Sequence, residues 1–176
     1  MEIEIILPEG VKAEKRGGEL VFTKNGKENS KELSNPSIAI DIKKGKLVLK
    51  TVRDNRNLKT LINTFASHIE NLIKGLSEPF VYKLKICGSH FPITVKVEGK
   101  NIIISNYLGE KVPRKCRIVG DAEVKVDGNI ITVTSNNKEY AGMTAGIIEK
   151  TVQIKLHDRR IFQDGIYITE KAGNKV

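Results

Sequence analysis

The chain repeats one order of local sequence patterns, and this repetition limits the folds that it can adopt. The stretch "IAIDIKKGKLVLKTV", residues 38–52, alternates apolar and polar residues on both sides of Lys44-Gly45, which is typical of a β-hairpin. The stretch "AEVKVDGNIITVTS", residues 122–135, does the same around Asp127-Gly128, a favoured two-residue turn. The two turns lie about 83 residues apart, from Gly45 to Gly128, so the chain is predicted to contain a duplication.

A helix is predicted after each hairpin. In "NLKTLINTFASHIENLIKG" the apolar residues recur along one helical face: Leu58, Leu61, Ile62, Phe65, Ile69, Leu72 and Ile73. Asn55 or Asn57 suits the start of this helix, and Gly75 suits its C-terminal cap. A weaker helix, "NKEYAGMTAGIIEKTVQ", has its apolar residues on a similar face: Tyr140, Met143, Ile147 and Ile148. The small residues of its "AGMTAG" stretch favour close helix packing over nucleotide binding.

Another hairpin-like pair precedes each of these units, at residues 11–26 and 93–109. The predicted fold class is therefore α+β, with two duplicated modules, each an antiparallel sheet with a helix packed on one face. Pro79 bars continuation of the first helix, which predicts an N-terminal module over residues 1–79 and a C-terminal module over residues 80–176. In the strand "FVYKLKI" that opens the second module, Lys83 and Lys85 point away from the apolar face.

Composition indicates a soluble globular protein of the cytoplasm. Hydrophobic residues make up 39% of the chain and charged residues 29%, and no apolar run approaches the ~18 residues needed to cross a membrane. The start, "MEIEIILPEG", is acidic, unlike the positive flank of a signal peptide. Two cysteines, Cys87 and Cys116, do not make a disulfide framework, although a bond between them stays possible at this stage.

Positive charge is concentrated in blocks. The formal net charge is +9, and residues 83–117 contain eight Lys or Arg against two Glu. Residues 118–149 are net acidic, with two Lys against five acids, and residues 150–176 are net basic again, with six cations against three acids. Such clustering favours a polyanionic partner, of which nucleic acid is the commonest.

Motifs that would indicate an enzyme are missing from the sequence. It has no phosphate-binding glycine loop, no nucleophile elbow and no cluster with metal-ligand spacing. The histidines, His68, His90 and His157, are far apart, and His157 beside Asp158 is a weak candidate for a base and its orienter. No catalytic residue, metal or cofactor is therefore predicted. An enzyme acting on an anionic substrate and a protein–protein interaction module stay as alternatives.

Two basic segments of the second module are the candidate binding sites. "NYLGEKVPRKCR" carries Lys111, Arg114, Lys115 and Arg117 around a turn with Gly109 and Pro113. "KLHDRR" carries Lys155, His157, Arg159 and Arg160 just after the second helix. Arginine and lysine both bind phosphate oxygens, and loops beside rigid elements are where binding residues are concentrated. Aromatic residues make up only 5% of the chain, so contacts that recognise a folded RNA by its phosphates are favoured over stacking on single strands.

Several phrases together resemble a known family. "SHIENLIKGLSEPFVYKLKI", "SHFPI", "NYLGEKVPRK" and "FQDGIYITEK" are similar to landmarks of the "L six" family of large-subunit ribosomal proteins, in its archaeal and eukaryotic form. The opening "IEIILPEGVK" and the "GELVF" strand also resemble that family, in matching order from about Ile3 to Lys171. "ICGSHFPI" departs from it, with Cys87-Gly88 where a larger pair is common.

The resemblance implies a structural constituent of the large ribosomal subunit that binds large-subunit rRNA. It implies that the C-terminal module makes most of the RNA contact, beside the sarcin–ricin region and near the face where translational GTPases dock. Neighbouring large-subunit ribosomal proteins are its other implied partners, with no membrane. Carried onto this sequence, the implied contacts are in "GEKVPRK" and "KLHDRR", and Lys83 and Lys85 in "YKLK" join them. Asp164-Gly165 is interpreted as a turn that positions these basic segments and not as a ligand.

Overall fold

The computed structural model describes residues 2–43, 45–52, 55–155, 158 and 160–176. Their contacts divide the chain into two units, Met1–Glu78 and Pro79–Val176, which are called here the first and the second module. All strand pairs are antiparallel. Neither helix of the described part combines enough length and apolarity to cross a membrane.

Six strands and one helix form the first module. The strands are β1 (Glu2–Ile6), β2 (Lys12–Arg16), β3 (Glu19–Lys24), β4 (Lys27–Glu32), β5 (Ile38–Lys43) and β6 (Lys46–Thr51). They make two three-stranded sheets, ordered β1-β6-β5 and β2-β3-β4. Helix α1 (Arg56–Ser77) packs on strands of both sheets and buries Ile62, Phe65, Ile69 and Leu72 against Phe22, Leu47 and Leu49.

The second module repeats this topology and extends it. Its elements are β7 (Phe80–Cys87), β8 (Thr94–Glu98), β9 (Asn101–Ser105), β10 (Arg114–Arg117), β11 (Glu123–Asp127), β12 (Ile130–Ser135), α2 (Lys138–Thr151), β13 (Gly165–Lys171) and β14 (Asn174–Lys175). The order β7-β12-β11 matches β1-β6-β5, and β8-β9-β10 matches β2-β3-β4. Strands β13 and β14 join the sheet beside β7 and have no counterpart in the described part of the first module. The predicted fold class is confirmed, with each module carrying two sheets.

Several predicted boundaries need correction. Gly75 does not cap α1 but lies buried inside it, and the helix ends at Ser77 with Glu78 extended before Pro79. The two-residue turn of the second hairpin is Gly128-Asn129, because Asp127 pairs with Ile130 across the strands. A glycine with positive φ at the first turn position is typical of a type II′ hairpin.

The buried face of α2 also differs from the predicted face. The buried residues are Ala141, Thr144, Ala145 and Ile148, whereas Met143 is 54% exposed. The small residues let the helix approach the sheet: a Cβ on Gly142 would lie 3.2 Å from the Tyr82 hydroxyl. The packing interpretation of "AGMTAG" is therefore correct, and of the larger apolar residues on the predicted face Ile148 is buried whereas Met143 is not.

Candidate nucleic-acid interface

The first predicted basic segment is fixed to the end of helix α2, from which the chain continues into the second basic segment. Arg114, at the start of β10, donates from Nη1 to the carbonyl oxygen of Thr151, the last residue of α2, over 2.7 Å. This bond joins the 106–113 loop to the segment that leaves the helix, although the two residues are 37 apart in sequence. Together with residues 88–93, these loops form what is called here the loop corner, residues 88–93, 106–113 and the described part of 152–164.

Arg114 is held by two further groups, the Glu110 carboxylate and the Tyr107 ring. Its Nε and Nη2 donate to the two carboxylate oxygens of Glu110, at 2.8 and 2.5 Å, and its guanidinium carbon lies 4.3 Å from the centre of the Tyr107 ring. The hydrogen bond between the two side chains raises the pKa of Arg114 and lowers that of Glu110. These bonds direct the guanidinium to protein acceptors and fix the loop corner, while its contact with RNA stays a prediction.

Tyr107 lies at the centre of the loop corner. It is 1% exposed, and its hydroxyl donates to the carbonyl oxygen of Asp164 over 3.4 Å. Burial raises the pKa of its phenol. The chain reaches this position through left-handed backbone at Asn106, Leu108 and Gly109, which is strained for a leucine. The Asn106 side-chain amide donates to the carbonyl oxygen of Pro92 and so ties two loops of the corner together.

Asp164 anchors the loop that follows β7. Its side chain is 1% exposed and accepts hydrogen bonds from the backbone N–H and hydroxyl of Ser89 and from the backbone N–H and Nδ1 of His90. Burial raises the pKa of this carboxyl, but the hydrogen bonds from His90 and Ser89 outweigh it and leave the pKa below its ordinary value. The aspartate therefore holds the corner through its side chain, where the sequence indicated only a turn.

The Cys87-Gly88 departure has a local structural reason. A Cβ on Gly88 would lie 2.7 Å from the Phe91 carbonyl oxygen, closer than a side chain tolerates. The backbone folds tightly here so that the His90 ring can reach both Asp164 and Phe162, whose ring centre lies 4.8 Å from that of His90. Both cysteines are free thiols, and burial raises the pKa of Cys116.

Ser89, His90 and Asp164 do not form a nucleophile–base pair. Both the serine hydroxyl and His90 Nδ1 are bonded to the same carboxylate. A catalytic triad instead needs the histidine between the acid and the serine. The cluster therefore has a structural role.

The predicted cations of the loop corner differ in their availability. Lys111 and Lys155 are exposed, and the Arg160 side chain is 91% exposed. Asp158 accepts from the Arg160 backbone N–H and Nε, at 2.9 and 3.3 Å, and these bonds lower the pKa of its carboxyl. His157 and Arg159 lie outside the described residues. Asp158 thus offsets part of the Arg160 charge, and exposed Lys111 and Lys155 keep this surface positive.

Lys115 and Arg117 lie on a strand, not on the loop where they were predicted. They alternate with buried Cys116 along β10, so both point to the outer face of the β8-β9-β10 sheet. Lys115 pairs in register with Ile103 and Arg117 with Asn101, and Lys96 lies across from Ile103 on the same face. Sequence reasoning missed Lys96 and the nearby turn residue Lys100, which the alternation of "ITVKVEGKN" could have indicated.

Lys83 and Lys85 lie on the open face of the five-stranded sheet, away from α2. Lys83 is already paired, because its Nζ lies 2.8 Å from a carboxylate oxygen of Glu170. Lys85 is exposed between Ile130 and Tyr167 on the neighbouring strands. The predicted site residues that the structure describes therefore occupy three surfaces of one module: the loop corner, the outer face of β10, and the open sheet face.

Comparison with known proteins gives consistent matches. A family model described as "Ribosomal protein L6" matches residues 91–165. "Large ribosomal subunit protein uL6" of Methanococcus vannielii is 44% identical over 170 residues, which cover 97% of this chain and 93% of that protein. Proteins of the same name from Methanosarcina mazei and Methanocella arvoryzae are 46% and 42% identical over 170 residues, covering 96% of each chain.

Proposed function

The chain belongs to the ribosomal protein L6 family, and from this premise we propose that its second module is the main rRNA-binding part and uses the loop corner and the outer face of β10. Membership confirms the family predicted from the sequence. It makes the chain a structural protein of the large ribosomal subunit and not an enzyme, with rRNA and ribosomal proteins as partners on the cytoplasmic ribosome. Docking beside the sarcin–ricin region, near the binding face of translational GTPases, is the finer part of the proposal.

The Arg114–Thr151 hydrogen bond is the observation that supports this proposal most directly. It fixes the basic segment that contains Lys111 to the end of α2, four residues before Lys155 opens the other basic segment. A single basic loop is usually no more than a solvated surface, but two that converge on a rigid corner raise the local positive potential. Folded RNA presents closely spaced phosphates that such a surface neutralises.

The residues that contact phosphates directly differ from those that position the loop corner. Lys111, Lys115, Arg117, Lys155 and Arg160 are exposed and contact phosphates directly. Arg114 positions the corner through its bonds to Glu110 and Thr151. His157, Arg159 and the two lysines of β7 stay as predicted contacts.

A salt titration tests the loop corner. The full-length chain is bound to a transcribed archaeal large-subunit rRNA fragment that contains the sarcin–ricin stem-loop and its flanking helices. Replacing Lys111, Lys155 and Arg160 with Gln removes three phosphate contacts, so the log–log slope of affinity against salt becomes shallower by about two to three units. The matched control replaces Lys12, Lys15 and Lys27, three exposed cations of the first module, and changes the slope less. Equal slopes for the two triple variants would contradict the assignment.

Two further measurements test the docking position beside the sarcin–ricin region and the alternative of a protein–protein interaction module. Chemical probing of the complex is expected to show protection in or next to the sarcin–ricin stem-loop, and protection only elsewhere would overturn the docking position. Nuclease-treated particles should release the chain. Retention of a stoichiometric protein partner, without affinity for the RNA fragment, would favour the interaction-module alternative.

A further inference from the structure

A cavity of about 380 Å³ lies beside the loop corner, within the second module. It is bounded by the C-terminal end of α2, the segment after it, and the first half of β13. Among the described residues, that part of β13 pairs with β7 alone, because β14 pairs no earlier than Glu170. The walls are mostly apolar, with two aromatic rings and two glutamines: Val152, Ile154, Ile166, Phe162, Tyr167, Gln153 and Gln163. A cavity of this size suits a small planar ligand.

The two aromatic rings are held in place by the fold. Phe162 packs on His90, whose own position is set by Asp164. The Tyr167 hydroxyl donates to the carbonyl oxygen of Gln163 over 3.2 Å. Its ring lies back across Gly165, where a Cβ would stand only 3.0 Å from it, so glycine is what permits this orientation. Rings fixed in this way bind a flat partner with little further ordering.

Charge around the cavity favours an anionic ligand. Lys150 forms part of the wall, exposed Lys155 directly follows the wall residue Ile154 in the chain, and exposed Arg160 precedes the wall residue Phe162 by two positions. Two carboxylates offset part of this charge, since Glu149 in the wall accepts from the Ile168 backbone N–H at 3.2 Å and Asp158 accepts from Arg160, so three cations stand against two acids. An apolar protein side chain would gain nothing from these cations, whereas a nucleotide would fill the cavity and meet them with its phosphates.

We infer that this cavity takes one unstacked base of the RNA, with its flanking phosphates on Lys150, Lys155 and Arg160. This inference rests on the proposed function and adds a base contact to the phosphate contacts. Splayed-out bases are recognised by aromatic rings and by amide groups on their edges, which Gln153 and Gln163 supply. Two rings are too few for an extended single-strand platform, but they are enough for one base.

The test compares Tyr167→Leu with Tyr167→Phe in the full-length chain. Leucine keeps apolar bulk and removes the aromatic face, whereas phenylalanine keeps the face and removes only the hydroxyl. Affinity for the same rRNA fragment is expected to fall roughly five- to a hundredfold in Tyr167→Leu and less than threefold in Tyr167→Phe. The salt slope should not change in either variant, because the phosphate contacts are intact.

Base reactivity toward dimethyl sulfate locates the contact. One unpaired adenine or cytosine should be protected by the wild-type and Tyr167→Phe proteins and become reactive with Tyr167→Leu. Failure of the wild-type protein to bind the fragment would overturn the proposed function itself. Normal binding with equal affinities for the two variants, and no base that depends on the ring, would overturn only the base-binding inference. A protein crosslink at Gln163 in intact large subunits would overturn it in favour of a protein occupant.

Discussion

His90 and Asp164, 74 residues apart, form a hydrogen-bonded pair that closes the loop corner. His90 Nδ1 lies 2.5 Å from Asp164 Oδ2. Since an ionised carboxylate only accepts, Nδ1 carries the proton. The Asp164 side chain is 1% exposed, whereas that of His90 is 39% exposed, so the pair runs from the interior to the surface. The same aspartate receives the Tyr107 hydroxyl on its carbonyl oxygen, and one residue therefore connects all three loops.

We expect Asp164→Asn to destabilise the second module strongly. The amide cannot accept as many hydrogen bonds as the buried carboxylate and places its own N–H groups against those of Ser89 and His90. The free energy of unfolding should fall by about 2–3 kcal/mol, measured by urea denaturation. Asp127→Asn, which removes the same charge from an exposed hairpin position, is the control and should change it by less than about 0.5 kcal/mol. Similar losses in both variants would mean that charge alone, not the hydrogen bonds, is responsible.

The same carboxylate should make the second module sensitive to acid. Its pKa is lowered in the folded protein, so its stabilising contribution is fully present above the pKa of an unfolded aspartate, about 3.9. That contribution is lost as the pH falls through the lower pKa of the folded state. Urea unfolding between neutral pH and about pH 3 should therefore show the gap between wild type and Asp164→Asn narrowing below about pH 4. Glu110 and Asp158 titrate in both proteins, so their contributions cancel in the difference between the two free energies of unfolding. A difference that does not depend on pH would contradict the assignment to Asp164.

Replacing Arg114 should separate positioning from charge. Arg114→Ala leaves the Thr151 carbonyl without this donor and releases Glu110, so we expect a loss of about 2 kcal/mol in the free energy of unfolding. Arg114→Lys should recover less than half of it, because an ammonium group cannot make the bidentate contact. Lys115→Ala removes the neighbouring, exposed cation and should cost less than about 0.5 kcal/mol. A stable Arg114→Ala protein with reduced RNA affinity would instead make Arg114 a direct contact.

Two glycines of the second module should respond oppositely to alanine. Gly120 has a φ of +63°, and its Cβ would lie 2.5 Å from the Tyr140 ring, so Gly120→Ala should lower the free energy of unfolding by about 2–4 kcal/mol. Gly146 lies inside α2 with open space around it, so Gly146→Ala should raise that free energy by about 0.5–1 kcal/mol. Thermal and urea unfolding measure both changes. Destabilisation by Gly146→Ala would show that this helix face is closely covered.

Sequence periodicity predicted the elements in which apolar side chains repeat. The 38–52 and 122–135 hairpins and α1 follow it because one face of each is buried. Strands β4 and β10 do not: their sequences, "KENSKE" and "RKCR", are nearly all polar. The inward position of β4 is Asn29, whose amide donates to the Leu72 carbonyl oxygen at 3.1 Å. A strand that buries one polar side chain by a specific hydrogen bond has no alternating signal to detect.

The candidate site was predicted only as a set of charged segments. Which cations are exposed depends on contacts between distant residues, such as Arg114 with Thr151 and Lys83 with Glu170. Local patterns carry no information about such pairs. Asn106 and Gly109 are a local signal of an unusual loop, because both residue types favour the left-handed backbone that they adopt here.

Lys83 and Lys85, two residues apart on one strand, should contribute unequally to RNA binding. The charge of Lys83 is largely neutralised by Glu170 at 2.8 Å, whereas no described carboxylate pairs with Lys85. Lys85→Gln should therefore reduce the log–log salt slope of rRNA binding by about one unit, and Lys83→Gln by less than half of that. Glu170→Gln releases Lys83 and should tighten binding severalfold, with a change of less than about 1 kcal/mol in the free energy of unfolding. Filter binding at four or five salt concentrations measures all three. Equal slope changes for the two lysines would show that RNA displaces Glu170, and no change for either would exclude the open sheet face from the interface.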